Sequence, residues 1–544
     1  MGKNNRNKNN KSANNKQQQP ATNTLVDHAQ GAQSSSKQLK QQQQQLVPSK
    51  RPSLTLQKRN ELSALISTLL EIGFKQPTNP KEEWDQYIEI QTLLHRVQIL
   101  EAPLRRHTCN PNASARMANI ENFYRWATEN GLRYDGVRIA QFEGYELGLE
   151  ATRDIAEEEV LFSIPRKLIL SEENMDLENS PAQFGSMTNL KLSYALMLEA
   201  LKPNSFWKPY IDLLPEKYNT VLYFTTKEME MLRGSNALSS ALKQCKAIAR
   251  QYAFLYNCTV QAPRTDKFNS MGQAFKEQFN YELYRWAVST VMTRENMIPR
   301  ASVTKKVATN GAADASQQTE TIAALIPFWD MANHRQGRVT SFFNLATDEM
   351  ESTAQYDFKK GEQIFIYYGD RCNADLMIHN GFINPTNPKD YVCIKLGLGT
   401  SDPLFEQRAK LLNLMQIGKN TDLKLLPPPA YISPELLAFV RVFNMNVEQL
   451  EHWITSERAM DIMHIDCALE TTLESKTWQY LQTRLMLLLR VFSTTLEADE
   501  AQLAAYKKDE LYLCYVEAMV LEYRVLEKRI LAAALDYAKQ RVKA

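Results

Sequence analysis

Two apolar runs, each stopping abruptly at polar or aromatic groups, constrain this chain more than anything else in it. Ala324-Leu325-Ile326-Pro327-Phe328-Trp329 runs straight into Asp330, Asn333 and His334. Further on, Ile364-Phe365-Ile366-Tyr367-Tyr368-Gly369 ends on two tyrosines and a glycine. A short apolar run reads as a buried strand, and small polar groups at its end mark the place where that strand empties into a site. The pattern predicts that the two ends meet there, joined by a polar, strand-like passage.

The rest of the chain sets the frame for that site. Its 544 residues exceed what one compact core holds, and two or three domains are expected at about 150 residues each. A net charge of +2 with 23 % charged residues describes a balanced surface, without the basic excess of a nucleic-acid binder. Seven cysteines stand singly at 109, 245, 258, 372, 393, 467 and 514, none in CxxC spacing. That argues against structural zinc and a disulfide framework and for reduced thiols, so a cytoplasmic location with a nuclear share is expected. Nothing approaches a membrane-spanning run, and the Asn/Lys/Gln-rich start has no apolar signal core. A monomer is expected, without membrane or nucleic-acid partners.

Residues 1–54 are low in complexity (NKNNKSANNKQQQ, KQLKQQQQQL) and are predicted to be disordered, having too little apolar surface to offset the entropy of ordering. Helical spacing of Leu62, Leu65, Ile66 and Leu69, then Tyr87, Ile90, Leu94 and Val97, predicts an N-terminal helical lobe over 55–133. Arg105-Arg106-His107 and Asn110-Pro111-Asn112 read as a loop, and a helix from Met117 to Glu129 should end at Asn130-Gly131. From Val137 the period becomes strand-like: Val137–Ala140 and Val160–Pro165 surround Gly144 and Gly148, which suit either a close backbone approach to a ligand or an ordinary hairpin. Leu190–Leu201 reads as an amphipathic helix, with further helices at Met229–Tyr256 and Tyr281–Met292 and a polar surface loop at Thr304–Gln318. Strands return from Ile322 to Leu398. After Pro427-Pro428-Pro429 the chain is helical, with Ser433-Pro434-Glu435 as a helix start and Thr494/Glu497 at capping-box spacing. The order is a β domain interrupted by helices, then an α-helical region: an α+β chain.

Several enzyme templates fail. There is no GxSxG elbow, no GxxxxGK[ST] and no HExxH, and Gly397-Leu398-Gly399 lacks the third glycine of a dinucleotide fingerprint. Cys372 and His379 have no evident orienting partner for thiol chemistry. What remains is Asn333-His334 after one strand and Tyr368-Gly369 after another. With EGYELGLEATRDI (143–155) upstream and GEQIFIYYG closing, this order resembles the SET domain of protein methyltransferases. NSFWKPYIDLLP (204–215), YRWAVSTVMTRENMIP (284–299), LIPFWDMANH and NADLMIHNGF (373–382) are similar to the branch typified by the plant Rubisco large-subunit methyltransferase, and within it to the actin-histidine methyltransferase family. The likeness covers roughly residues 80 to 535.

The resemblance implies a SET-domain β fold over 134–369 with a helical insertion at about 185–300, followed over 370–544 by strands and an all-α substrate-binding domain. It implies methylation of an actin histidine with S-adenosylmethionine as cofactor and no metal. The cofactor would be held by Arg116, by the turn Tyr145, Glu146 and Leu147, by Arg294, by Asp330, Met331, Ala332, Asn333 and His334, and by Asn380, Gly381 and Phe382. The family turn usually reads EGFG, and here Glu146 stands at a glycine of that turn, which leaves its backbone path open. Tyr368 would face the methyl channel and orient the accepting nitrogen. Asn296 would hold the substrate imidazole in one tautomer. Trp329, Arg250 and Arg371 would contact the substrate peptide. From the residues alone, Asn296 reads equally as a loop or helix-end asparagine, Trp329 as a core aromatic and Arg250 as a surface cation. A lysine methyltransferase on this scaffold and a non-catalytic SET-like binding module are the alternatives.

Overall fold

The computed structural model describes residues 54–104, 116–174, 188–261, 275–302 and 320–543. The expected disordered tail, the loop at 105–112 and the loop at 304–318 lie outside them, apart from Leu54. Along the chain come helices α1 (Leu56–Phe74), α2 (Pro80–Glu101) and α3 (Ile120–Glu129), then strands β1 (Arg133–Tyr134), β2 (Val137–Phe142), β3 (Glu146–Ala151), β4 (Val160–Pro165) and β5 (Leu170–Ser171). Helices α4 (Thr188–Leu201), α5 (Ala237–Thr259) and α6 (Tyr281–Arg294) follow. The chain returns to strands in β6 (Glu295–Pro299), β7 (Thr321–Leu325), β8 (Asn333–His334), β9 (Ser341–Asn344), β10 (Glu349–Thr353) and β11 (Gln363–Ile366). A hairpin, β12 (Val392–Gly397) with β13 (Asn420–Leu425), precedes the main C-terminal helices α7 (Pro434–Asn444), α8 (Thr471–Val491), α9 (Leu496–Lys507) and α10 (Tyr515–Lys543).

Three small sheets surround one core: β1-β4-β10-β9, β2-β3-β11-β8 and β5-β7-β6. The hairpin β2–β3 pairs Val137 with Ala151 through Phe142 with Glu146, and β3 pairs antiparallel to β11. The decisive pairing is parallel: Phe365 lies opposite Asn333 and Ile366 opposite His334. It brings the ends of the two apolar runs together, as their sequence predicts.

Local signals explain many of the helix ends. Thr55 and Asn79 accept from the backbone N–H of Lys58 and Glu82 at the starts of α1 and α2, and Ser433 does the same for α7. Four sequence expectations are corrected. The run Met229–Tyr256 is two helices, because the chain turns at Gly234 between Thr226–Glu230 and α5. Helix α4 is buried nearly all round rather than amphipathic, since it packs between α6 and β7. The Thr494/Glu497 capping box does not form: Thr495 caps α9, while Thr494 is drawn to Asp499, Arg524 and Lys528 in a buried charged cluster. A short helix, Asn373–Asp375 continuing into a π-helical turn Leu376–Asn380, also breaks the strand region expected between Ile322 and Leu398.

Helix α10 joins the two cores. Met519, Val520 and Tyr523 belong to the core beneath the small sheets. Ile530, Leu531 and Ala534 belong to a second core with Leu436, Phe439, Trp478 and Leu485. Among the described residues no helix is long and apolar enough to cross a membrane.

Phe328 holds the backbone at the end of the first apolar run. It sits at φ 76°, ψ −53°, a conformation that is costly for a residue with a side chain. Its buried ring lies 5.2 Å from that of Phe162 and 5.4 Å from Tyr134, with Phe123 and Tyr124 at 6.5 and 6.2 Å. Ring packing therefore offsets the backbone cost and aims Trp329 and Asp330. Phe328→Ala should lower stability by about 3–5 kcal/mol, read by urea unfolding; a loss below about 1 kcal/mol would show that the rings do not hold the turn.

Candidate functional site

Two cavities back onto each other at the meeting of β8 and β11. The larger, 980 Å³, is walled by Arg116, the β2–β3 turn, Arg294, Asn333, His334 and the Asn380–Phe382 turn. The smaller, 280 Å³, contains Asn296, Trp329, Tyr367 and Arg371. Thr293, Arg294, Asp330, Tyr368 and Asn380 line both.

Backbone geometry shapes the larger cavity. Gly148 lies where a Cβ would meet Phe142 Cδ2 at 2.9 Å and Asn333 Nδ2 at 3.0 Å, so β3 can lie close against Asn333. That closeness lets Asn333 Nδ2 donate to the Leu147 carbonyl at 3.0 Å. Gly381 ends the π-helical turn at φ +78°, and a Cβ there would stand 2.6 Å from the Asn219 backbone carbon. Glu146 keeps the left-handed conformation, φ 60°, despite its side chain. The turn thus follows a path suited to glycine, and the Glu146 carboxylate accepts a hydrogen bond from Arg116 Nη1 at 2.7 Å.

The shared wall is a network of buried charge. Arg294 Nη1 donates to the Asp330 carbonyl at 2.6 Å and lies 3.3 Å from Asp330 Oδ2. The Tyr210 hydroxyl donates to Oδ2 at 2.6 Å. Burial pushes the Asp330 carboxyl upward against the pull of Arg294. Burial works against the Arg294 charge too, yet Asp330 and the neighbouring tyrosines outweigh it and raise its pKa. Asp330 Oδ1 is buried without a partner among the described residues. Arg116 is buried, its Nε donating to the Leu213 carbonyl at 2.7 Å, and burial, then the nearby Arg294, holds its pKa down.

Tyr368 is held from two sides. Its backbone N–H donates to His334 Nδ1 at 3.2 Å and its hydroxyl donates to the Ala332 carbonyl at 2.8 Å. Burial lifts the phenol to about 12, so it stays protonated near neutral pH. With the hydroxyl hydrogen given to Ala332, the oxygen lone pairs are what Tyr368 can offer to a ligand. Burial and then Arg371 press the His334 pKa down to about 4, which keeps the ring neutral and Nδ1 an acceptor. Arg371 Nη1 donates to Asn380 Oδ1 at 2.8 Å, linking the two cavities. Asn296 Oδ1 accepts from the Met297 N–H at 2.8 Å, which orients the amide and leaves its second lone pair available. Trp329 Nε1 donates to Ser341 Oγ.

Of the residues expected at the cofactor, Arg116, Tyr145, Glu146, Leu147, Arg294, Asp330, Met331, Asn333, His334, Asn380, Gly381 and Phe382 line the larger cavity. Ala332 lines neither and contributes through its carbonyl. Asn296, Trp329, Arg371 and Tyr368 line the smaller one. Arg250 is not brought to either cavity. It lies on α5 with its guanidinium 5.4 Å from the Phe74 ring centroid, because α5 packs there against α1. Many other lining residues go unmarked by the sequence, Tyr515 and Glu295 among them. Tyr515, the first residue of α10, reaches the larger cavity from far along the chain, and no local pattern marks it. Glu295 lines the smaller one beside Asn296; burial lifts its carboxyl to about 7.

The His334 environment makes stability depend on pH. An unfolded histidine gains its proton below about pH 6.5, whereas the folded one resists until about 4. This contribution is complete above pH 6.5 and is lost as pH falls towards 4. His334→Asn should remove about 2 kcal/mol of the wild-type decline over that range, after discounting for partial exposure, read by urea unfolding at several pH values. An identical decline in both proteins would mean that His334 is not held neutral.

Comparison with known proteins places the chain. The SET domain family model matches residues 146–369, and the Rubisco LSMT substrate-binding model matches residues 399–531. The Drosophila melanogaster actin-histidine N-methyltransferase is 48% identical over 514 residues, covering 91% of this chain and 92% of that protein. Proteins of the same description from Gallus gallus and Homo sapiens are 36% and 35% identical, covering 88% and 89% of this chain and 79% of each relative. Among solved structures, the SET domain of LSMT bound to lysine and AdoHcy superposes with a TM-score of 0.62 at 18% identity, over 78% of this chain and 92% of that one. Rubisco LSMT bound to AdoMet gives 0.62 at 17% identity, with the same coverage. These two structures share the fold.

Proposed function

The chain belongs to the actin-histidine N-methyltransferase family of SET-domain proteins, and from that premise we propose that it transfers a methyl group from S-adenosylmethionine to a histidine of actin. The observation that carries the reading is the pair of cavities sharing Tyr368, Arg294, Asp330 and Asn380. One cavity suits a charged nucleoside, the other a planar side chain.

The larger cavity fits the cofactor on chemical grounds. Arg116 and Arg294 offer guanidinium groups to a carboxylate. Asp330 Oδ1, a buried acceptor without a partner among the described residues, suits an ammonium. The Leu147–Asn333 and Asn380–Phe382 segments supply backbone polar groups for a purine and ribose. S-adenosylmethionine, when bound, supplies a methyl group made electrophilic by its sulfonium.

The remaining work is positioning. The substrate imidazole must be neutral, with one ring nitrogen carrying its lone pair towards the methyl and the other its hydrogen. Asn296 holds that N–H with the lone pair of Oδ1 not used by Met297. Tyr368, fixed by Ala332 and His334, turns its oxygen lone pairs to the channel and cannot act as a base at neutral pH. When the N–CH3 bond forms and the S–CH3 bond breaks, the imidazole becomes cationic. Its other N–H is acidic enough to pass the proton to water near neutral pH. Trp329 and Arg371 flank the channel, and exposed Met297, Val339 and Phe342 form an apolar rim for the peptide.

Incubation with labelled cofactor and actin, followed by peptide mass spectrometry, should place the label on histidine. Label confined to lysine would instead identify the lysine enzyme of the same scaffold. Asn296→Phe should cut histidine methylation at least about tenfold by removing one orienting hydrogen bond; an unchanged rate and product would remove Asn296 from the mechanism. Tyr368→Phe should lower turnover about 10- to 100-fold, the equivalent of one positioning interaction, with thermal stability nearly kept. Undiminished turnover would make the tyrosine structural.

A further inference from the structure

Glu146 is the unusual member of the larger cavity. It opens β3 at a positive φ that glycine adopts freely, at a cost of about 1 kcal/mol or more for a residue with a side chain. The side chain kept at this cost reaches across the cavity to Arg116, a residue 30 positions away in the chain. The two partners are unequal: the Arg116 side chain is 3 % exposed and that of Glu146 65 %. The cation is built into the wall, while the anion stands in the opening and can turn to water with little penalty.

The donors of Arg116 are divided in a telling way. Nε is spent on the Leu213 carbonyl and Nη1 on Glu146, while Nη2 has no partner among the described residues. A ligand carboxylate that grips this guanidinium with both oxygens needs two adjacent donors. With Nε committed to the backbone, those donors are Nη1 and Nη2. A two-pronged grip on Nη1 and Nη2 therefore sets a second carboxylate against the one Glu146 already holds at Nη1, and the two anions compete for the same guanidinium edge.

We propose that Glu146 is a positioning residue that competes with the cofactor's carboxylate for Arg116 and so sets how tightly carboxylate-bearing nucleosides are held. This rests on the cofactor assignment above. Glu146 keeps the buried guanidinium turned into the cavity, and the incoming carboxylate displaces it as one charge-assisted contact replaces another. The consequence is selective. A ligand with an amino-acid tail meets the competition, and one without a carboxylate does not.

The test is calorimetric titration of the full chain, wild type against Glu146→Gln, with S-adenosylmethionine, S-adenosylhomocysteine and 5′-methylthioadenosine, the last lacking the carboxylate. Glutamine preserves size and backbone conformation and removes the charge. The variant should bind the first two about three- to tenfold more tightly, the change expected for losing an ion pair with one buried partner, with 5′-methylthioadenosine unchanged. Glu146→Gly, which also relieves the positive φ, should shift the same two ligands in the same direction. Weaker binding of S-adenosylmethionine by both variants would overturn the proposal and make Glu146 a direct holder of the cofactor. An equal shift for all three nucleosides would also overturn it, as a merely structural effect. Failure of wild type to bind any of them would instead strike the cofactor assignment itself.

Discussion

The parallel pairing of β8 with β11 is the constraint on which the site depends. A sheet pairing fixes register, and a slip by one residue would turn every side chain to the opposite face. Here it sets Phe365 opposite Asn333 and Ile366 opposite His334. Tyr368 follows two residues beyond the pair, close enough for its N–H to reach His334 Nδ1 and its hydroxyl the Ala332 carbonyl. Both walls of the channel therefore come from one small piece of sheet. Burial in this arrangement, and then Arg371, depresses the His334 pKa, so the ring stays neutral and can accept that N–H.

Around this pairing the site is assembled by elements with separate tasks. The ring cluster about Phe328 sets the backbone direction and so sends Trp329 towards the smaller cavity and Asp330 into the shared wall. Helix α6 ends at Arg294, and the strand that continues from it carries Glu295 and Asn296. A single helix-to-strand junction thus delivers a cation to the shared wall and an amide to the smaller cavity. Helix α10 ties the C-terminal helices to the same place, since its first residue, Tyr515, lines the larger cavity while its later turns cross both cores.

Buried charge in the shared wall is balanced locally. Arg294 and Tyr210 both meet Asp330 at Oδ2, while Oδ1 has no partner among the described residues. A lone buried ion of either sign would be costly, so the pair must be kept or lost together. Arg116 differs, because its anionic partner stands in the opening and not in the wall. That asymmetry separates a structural ion pair from one open to exchange.

The sequence by itself determined the local features. The two apolar runs, strand β4, the cap at Ser433, and the end of α3 at Asn130-Gly131 follow from side-chain periodicity and from hydrogen bonds within a few residues. Nearly all of the residues that family motifs mark, carried over one by one, line one of the two cavities, although they make up only part of the lining. Only the tertiary structure decided the rest. Whether Glu146 could follow a glycine-like path depended on Arg116, and the position of Tyr515 depended on how α10 lies against the sheets. That Arg250 turns to Phe74 depended on the packing of α5 against α1, and that Thr494 serves a buried charged cluster instead of a cap depended on Arg524 and Lys528 in α10. Each of these outcomes turns on contacts between residues far apart in the chain, whose energies rival local preferences of about 1 kcal/mol and leave no periodic trace in the sequence.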